Sequence, residues 1–137
     1  MPASLFDLTS TNAVTNRLVQ ERLVLAASNA DTTLTAAQSI ESTVTMTPAS
    51  TDKTITTATA ALIVAELGST VEIGTSFELT LVNVASATRA ITLAAGSGCT
   101  LGGATAMATV AAATSATYLG VVTAIGTPAI TFYRKGG

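Results

Sequence analysis

Residues 76–84 read SFELTLVNV, and they contain the clearest strand pattern in the chain. Phe77, Leu79 and Leu81 alternate with polar residues, so a strand here places three large apolar side chains on one face. Burying each of these side chains contributes roughly 1.5 to 3 kcal/mol, which makes the loss of any one of them costly. We therefore predict that this strand forms the centre of the hydrophobic core.

Shorter segments rich in Thr, Val and Ile lie on both sides of this stretch. The predicted strands cover residues 42–47, 53–57, 89–94, 99–101, 106–111, 117–124 and 129–135. Turn signals separate them, such as PASTD at 48–52 and GTP at 126–128. Short strands at this regular spacing predict an all-β fold over residues 39–137, either an antiparallel β-sandwich or a jelly-roll-like barrel.

One segment, TAALIVAEL at residues 59–67, interrupts the strand pattern. Thr59 is a suitable N-cap, the residues after it are good helix formers, and Gly68 can end a helix. Residues 62–64 would also suit a buried strand. We predict a helix of one or two turns that closes one end of the domain.

Residues 1–38 have a weaker pattern and are predicted to form an N-terminal arm. Apolar residues in 11–27 fall near helical spacing and favour a short helix, although ERLVLAAS at 21–28 fits an extended strand equally well. The choice is between a poorly ordered terminus and a tether that becomes ordered on a partner. Three apolar side chains favour the tether: Leu5, Phe6 and Leu8.

The composition of the chain limits its partners. Charged residues make up 10% of the 137 residues, apolar residues make up 48%, and Thr and Ala together supply more than a third. The six Lys and Arg residues are scattered, so they do not form the basic stripe that nucleic-acid binding requires. Low charge also gives little repulsion between copies, and we therefore expect an oligomer or a docked subunit.

The sequence also indicates a compartment. The first ten residues, MPASLFDLTS, lack the basic and apolar regions of a signal peptide, and no apolar run reaches the length that crosses a bilayer. Cys99 is the single cysteine and has no partner for an internal disulfide. We expect synthesis in the cytoplasm and no membrane partner.

Few residues in the chain are suited to catalysis or cofactor binding. Without histidine, a general acid or base has to be a carboxylate, Lys, Tyr or Cys. Glu72 and Glu78 flank a turn and could act as a carboxylate pair, but sugar-cleaving sites usually carry more aromatic side chains. Cys99 has no histidine to activate it and is predicted to be a core thiol. Zinc spacing and calcium loops are absent from the sequence, so we expect no enzyme, no cofactor and no metal site.

Three motifs give the chain a family resemblance: DKTITTATAALIVAEL at 52–67, VEIGTSFELTLVNVASATRAITLAAGSGCTLGG at 71–103, and AITFYRK at 129–135. Over roughly residues 38–135, the chain resembles the capsid decoration proteins of tailed bacteriophages, which are also called cement or head-stabilising proteins. The motifs mark a fold and have no catalytic residues to transfer. Similar modules occur in phage head fibres and tail-associated proteins.

The resemblance implies a jelly-roll-like β-sandwich on the outer surface of an icosahedral phage head. There a dimer or trimer would span neighbouring subunits of the major capsid protein and oppose the internal pressure that separates them. The arm of residues 1–38 would be the bridge to a neighbouring subunit. Two alternatives stay open, namely a head-fibre, tail or baseplate attachment module and a carbohydrate-binding β-sandwich that aids adhesion.

Six residues are candidate partner contacts. The three apolar arm residues would bury their side chains against a partner, and the two arginines could pair with acidic groups on it. Tyr133 is the tyrosine of the terminal apolar strand that forms part of the family resemblance. The candidates are Leu5, Phe6, Leu8, Arg89, Tyr133 and Arg134.

Overall fold

The computed structural model of the chain describes residues 22–25 and 29–137, which form ten strands, two α-helices and one 3-10 helix. The strands are β1 (Arg22–Leu25), β2 (Thr32–Thr33), β3 (Ser42–Met46), β4 (Lys53–Thr56), β5 (Ser76–Asn83), β6 (Ile91–Ala94), β7 (Cys99–Gly102), β8 (Thr109–Val110), β9 (Ser115–Ala124) and β10 (Ala129–Gly136). The helices are α1 (Ala36–Ser39), α2 (Ala60–Leu67) and the 3-10 helix Thr105–Ala108.

The strands form two sheets. The larger sheet has the order β1-β3-β5-β9-β10-β7, and the smaller sheet has the order β2-β4-β6-β8. The prediction of a β-rich fold is confirmed, and the sheets described here do not close into a barrel. The prediction of antiparallel pairing is wrong for most of the molecule, because five of the eight strand pairs are parallel.

The path of the chain explains the parallel pairs. From β1 to β9, each strand lies in the other sheet from the strand before it. Through β6, each return to the same sheet restores the direction of the chain, which gives the parallel sets β1-β3-β5 and β2-β4-β6. The later strands depart from this rule, because β8 is antiparallel to β6 and β9 is antiparallel to β5.

Part of the predicted arm belongs to the β domain. Residues 22–25 pair with β3, and residues 32–33 pair with β4. The extended alternative for ERLVLAAS is thus confirmed at residues 22–25, and the division of the chain at residue 38 stays a prediction. These strands are short and gain their order from backbone pairing to neighbours that are distant in sequence, so local periodicity does not indicate them.

The predicted helix is confirmed as α2. The Thr59 side chain accepts a hydrogen bond from the Leu62 N–H at 3.3 Å, and Gly68 follows the helix with φ 95°. Helix α1, Ala36–Ser39, crosses the predicted boundary between the arm and the β domain. Its capping box is formed by Thr35 and Gln38, which exchange hydrogen bonds of 3.0 and 3.2 Å. The predicted strand at 106–111 is only partly correct, because its first half lies in the 3-10 helix.

The core lies between the two sheets and contains side chains from both. The fully buried side chains of the larger sheet include Val44, Leu79, Leu81, Tyr118, Ile130 and Phe132. Those of the smaller sheet are Ile55, Ile91, Leu93 and Val110. The alternating burial along β5 confirms the prediction that it is a central strand, since Phe77, Leu79 and Leu81 are all buried.

A glycine makes room for two packed rings in this core. Phe77, Gly120 and Phe132 are register partners on three adjacent strands, and the two rings meet edge to face with centroids 5.7 Å apart. A Cβ at Gly120 would lie 2.6 Å from Cε2 of Phe77 and 3.0 Å from Cε1 of Phe132. Both rings are buried and have little space into which to move.

We predict that Gly120→Ala lowers the free energy of unfolding by about 1 to 3 kcal/mol, because overpacking forces the rings off their preferred rotamers. Gly126→Ala is the matched control, since a Cβ there meets nothing within 4 Å. Urea unfolding of both variants checks the prediction. Equal stabilities for the two variants would show that the rings repack without cost.

Candidate binding surface

The larger sheet has an outer face, which we define as the outward positions of β3, β5, β7, β9 and β10. All of these positions are exposed or half-buried. The threonines among them are Thr43, Thr45, Thr80, Thr100, Thr117, Thr123 and Thr131. The apolar members are Val82, Leu119 and Val121. The face is therefore rich in hydroxyls, with apolar side chains among them.

Two pairs of threonines hydrogen-bond across neighbouring strands of the outer face. Oγ1 of Thr80 lies 3.1 Å from Oγ1 of Thr117, and Oγ1 of Thr100 lies 3.1 Å from Oγ1 of Thr131. Each pair fixes two side chains before any partner arrives, which reduces the entropy lost on binding. Hydroxyl oxygens also have a second lone pair that can accept a hydrogen bond from a partner.

One ion pair lies on this face, between Lys135 Nζ and Glu78 Oε2. Both partners are partly exposed, so the pair adds little to stability. Glu78 was a candidate for a catalytic carboxylate pair with Glu72. In the structure Glu78 instead neutralises a lysine on the outer face, while Glu72 is exposed in the loop between α2 and β5.

Tyr133 is an exposed aromatic side chain on the outer face, at 48% of its full area. Its register partner on β7 is Gly102, and a Cβ at that glycine would lie 2.5 Å from Cε1 of the tyrosine ring. Its register partner on β9 is Leu119. The ring therefore rests on backbone at Gly102, and this placement suits it to contact a partner.

Arg134 follows Tyr133 on β10 and has a different environment. Its Nη1 donates to the carbonyl oxygens of Thr109 at 2.6 Å and Met107 at 3.4 Å. The Tyr118 hydroxyl donates to the same Met107 carbonyl at 2.7 Å. Arg134 thus links the larger sheet to the segment that leads into β8 of the smaller sheet. Its role as a partner contact stays a prediction.

Burial raises the pKa of the Tyr118 phenol above its ordinary value, and the nearby Arg134 guanidinium offsets part of this rise. The folded pKa therefore exceeds the unfolded one, which is about 10. The stability contributed by the neutral phenol is complete below about pH 10 and is lost as the pH rises through the folded pKa.

We predict that the free energy of unfolding falls more steeply above about pH 10 in the native chain than in the Tyr118→Phe variant. The reason is that the variant has no phenol to ionise at this buried position. Urea unfolding of both proteins between about pH 8 and 11 checks this. Parallel pH profiles for the two proteins would show that ionisation of the Tyr118 phenol does not contribute to the loss of stability.

Arg89 lies in the loop between β5 and β6, at the end of the sandwich away from α2. Its backbone N–H donates to the Ala87 carbonyl, and its own carbonyl accepts from the Asn83 amide at 2.8 Å. The side chain borders a shallow groove of about 490 Å³ between this loop and residues 109–113. Tyr133 thus lies on the outer face, whereas Arg89 borders a groove that includes Thr109, whose carbonyl accepts from Arg134.

Three of the predicted contacts, Leu5, Phe6 and Leu8, lie outside the described residues. The sequence analysis missed the threonines of the outer face as members of one surface. Their alternation with buried residues in β3, β5 and β9 was the available signal. Assigning them to one surface also required the order of the strands.

Cys99 and possible clusters of metal ligands are the other candidates for catalysis or binding. Cys99 is buried, and its Sγ lies 3.6 Å from the Ala58 carbonyl oxygen. Burial raises the pKa of this thiol, with a smaller opposing effect from Thr57, so the reactive thiolate is disfavoured. Across residues 22–25 and 29–137, no group of three or more His, Cys, Asp or Glu side chains could hold a metal ion. The helices described here are all too short to cross a membrane.

No protein-family model, no curated protein and no solved structure matches this chain.

Proposed function

We propose that this chain is a structural protein of a phage virion that binds the outer surface of an icosahedral head. In this proposal it bridges neighbouring major capsid subunits and associates with itself as a dimer or trimer. The two mixed sheets are then a β-sandwich of the jelly-roll-like kind. The proposal rests on the family resemblance of residues 38–135 and on one structural observation, the Thr-rich outer face.

The chemistry of the outer face suits a permanent contact with a protein lattice. Threonine hydroxyls and small apolar groups lose less hydration free energy on burial than charged groups do. The ion pair between Lys135 and Glu78 on this face already neutralises both side chains. A partner therefore covers the face without leaving an unpaired charge, provided that it offers hydrogen bonds to the hydroxyls.

A lattice partner also removes the need for a tight single contact. When a subunit touches two neighbouring capsid subunits, the second contact forms at a high effective concentration. Modest contacts at the outer face can then hold the subunit on the head. The same arrangement opposes separation of the two capsid subunits, because separation would break contacts at both.

We predict that Tyr133→Ala weakens binding to undecorated heads roughly tenfold or more, because an exposed aromatic ring on a neutral face is a typical centre of binding energy. The heads come from the phage that encodes this chain, prepared without the protein. Cosedimentation of the purified variant with these heads measures its affinity.

Ile73→Ala is the matched control, since Ile73 is a large apolar residue exposed at 69% in the loop before β5. Thermal unfolding of both variants shows that the folds are intact. Unchanged head binding by the folded Tyr133→Ala variant would count against the outer face as the contact. A failure of the native protein to bind heads at all would overturn the proposed function.

One observation favours a second candidate, the carbohydrate-binding β-sandwich. The exposed Tyr133 ring has threonine hydroxyls near it on β7 and β10, and sugars bind to aromatic rings flanked by hydrogen-bonding groups. A glycan array separates the two functions. Reproducible hits that disappear in Tyr133→Ala would favour adhesion over head binding.

A further inference from the structure

Strand β7 lies at one end of the larger sheet and has a free edge. Its neighbour is β10, and no other strand of residues 22–25 and 29–137 pairs with it. Proteins usually protect such edges with charged side chains or proline. This edge has neither, since β7 contains no proline and residues 90–133 contain no charged residue. The edge of β7 is therefore suited to accept a further strand.

The backbone groups of β7 alternate between β10 and the free edge. The Ile130 N–H donates to the Gly98 carbonyl at 3.1 Å, and in this parallel register the Thr100 N–H donates to the Ile130 carbonyl. The peptide groups between these bonds point to the opposite side of the strand. Four backbone groups thus face the free edge, and they have no hydrogen-bond partner among the described residues. In chain order they are the Cys99 C=O, the Leu101 N–H, the Leu101 C=O and the Gly103 N–H.

We propose that β7 pairs with β7 of a second copy of this chain, antiparallel and with the two Leu101 residues opposite each other. The free groups alternate as acceptor, donor, acceptor and donor, so the edge is complementary to itself about a twofold axis. The two Leu101 residues exchange two hydrogen bonds. Each Cys99 carbonyl accepts from the Gly103 N–H of the other copy. These four bonds use every free group of the edge.

Side chains on both faces of the edge gain contacts from this pairing. On the inner face, Leu101 packs against the core but is only half-buried. Residues that exchange both bonds have Cα atoms about 5.5 Å apart, so each Leu101 covers the exposed part of the other. On the outer face, Thr100 of one copy lies opposite Gly102 of the other. The Tyr133 ring rests on Gly102, so the threonine methyl group contacts this ring.

A second copy suits this edge better than a foreign strand does. The edge has no charged side chain that would select a different protein. Both copies leave the same part of Leu101 exposed, so their surfaces match without any further sequence requirement. Pairing also joins the two larger sheets into one continuous sheet, with both outer faces on the same side. This inference rests on the self-association in the proposed function and selects a twofold dimer.

Sedimentation and amide exchange of the native chain test the pairing without heads. Sedimentation velocity between about 1 μM and 1 mM is expected to show a dimer that forms as the concentration rises. In the dimer, the Leu101 amide should exchange with solvent at least about tenfold more slowly than in the monomer. The Thr100 amide is the internal control, because it bonds to Ile130 of its own chain in both states.

Opposite charges at residue 101 test the register. Leu101→Lys and Leu101→Glu each place like charges opposite each other, so each variant alone should dimerise at least about tenfold more weakly than the native chain. An equal mixture places lysine opposite glutamate and should recover the dimer. Thr123→Lys and Thr123→Glu are the matched controls, because Thr123 is exposed on β9, two strands from the edge. Both controls should dimerise like the native chain, and thermal unfolding shows which variants are folded.

Four results would each overturn the proposal. A monomer at every concentration would show that the edge does not pair with itself. An oligomer without slower exchange at Leu101 would place the contact elsewhere. Slow exchange at Leu101 in the monomer would mean that another part of the same chain covers the edge. No recovery in a mixture of folded Leu101 variants would exclude the register.

The exchange measurement uses the native chain, so it decides the question even where a variant fails to fold. Head binding is measured separately, in the cosedimentation experiment. Failure of the β7 contact and failure of the proposed function are therefore distinguishable.

Discussion

Replacing Asn83 with leucine is expected to lower the free energy of unfolding by about 3 to 5 kcal/mol, because several buried polar groups lose their partners together. Asn83 ends β5 and is only 1% exposed. Its amide nitrogen donates to the carbonyl oxygens of Arg89 at 2.8 Å and Val110 at 3.0 Å. Its Oδ1 accepts from the Ala85 N–H at 3.0 Å. One side chain thus ties the larger sheet to β8 of the smaller sheet and to the loop between β5 and β6.

Urea unfolding measures this loss, with Asn29→Leu as the matched control. Asn29 is exposed, and its Oδ1 accepts a single hydrogen bond from the Ala49 N–H at 3.2 Å. Its replacement should cost about 1 kcal/mol or less, since water can replace the lost partner. Asn83→Asp should also be strongly destabilising, because a carboxylate cannot donate to the two carbonyls. A small effect of Asn83→Leu would mean that the two sheets do not depend on this contact.

Truncation of Leu79 to alanine is expected to cost about 2 to 5 kcal/mol, because it removes buried apolar surface and leaves a cavity. Leu79 has no exposed area and lies in the middle of β5. Its register partners are Ser42 on β3 and Tyr118 on β9, so it lies between two strands in the interior of the larger sheet. The surrounding side chains are buried and have little freedom to fill the space.

Leu62→Ala is the matched control for this truncation. Leu62 belongs to α2 and is 57% exposed, so its removal should change the free energy of unfolding by less than about 0.5 kcal/mol. Calorimetry or urea unfolding of both variants gives the comparison. Similar costs at the two leucines would show that β5 is not the centre of the core.

Local pattern predicted the strands that are buried on one face. The alternation in residues 76–84 corresponds to β5. In the predicted strand at 129–135, Ile130 and Phe132 alternate with Thr131 and Tyr133 in the sequence, and they are the inward positions of β10. The capped helix at 60–67 followed from Thr59 and Gly68, because both termini carry residues with a specific backbone role. In these elements, local preference and tertiary burial agree.

The strand order could not be predicted from the sequence. Parallel pairs such as β3 with β5 arise from the alternation of the chain between two sheets, which no short-range pattern encodes. The two-residue strands β2 and β8 are too short for a periodicity to be visible. Such pairings are decided by which neighbours lie close in the folded chain.

The candidate surface was also only partly predictable from the sequence. The alternation of apolar and polar residues along β10 indicates that Tyr133 points away from the core, and in the structure Tyr133 is exposed. The same alternation does not indicate the position of Arg134, whose side chain donates to the carbonyls of Met107 and Thr109. A register shift between Arg134 and Gly136 interrupts regular pairing of β10 with β9 at this point. The sequence does not distinguish the environments of Tyr133 and Arg134, because it does not give the positions of β8 and the 3-10 helix.

In the proposed function, this chain covers repeated neighbouring subunits with a neutral β surface. The most direct test of this proposal is the copy number of the chain in purified phage particles, measured by quantitative mass spectrometry against the major capsid protein. The account predicts a copy number in fixed, near-stoichiometric proportion to the capsid subunits, retained when tails are removed. Absence from the particle, or a few copies that depart with the tail, would contradict it.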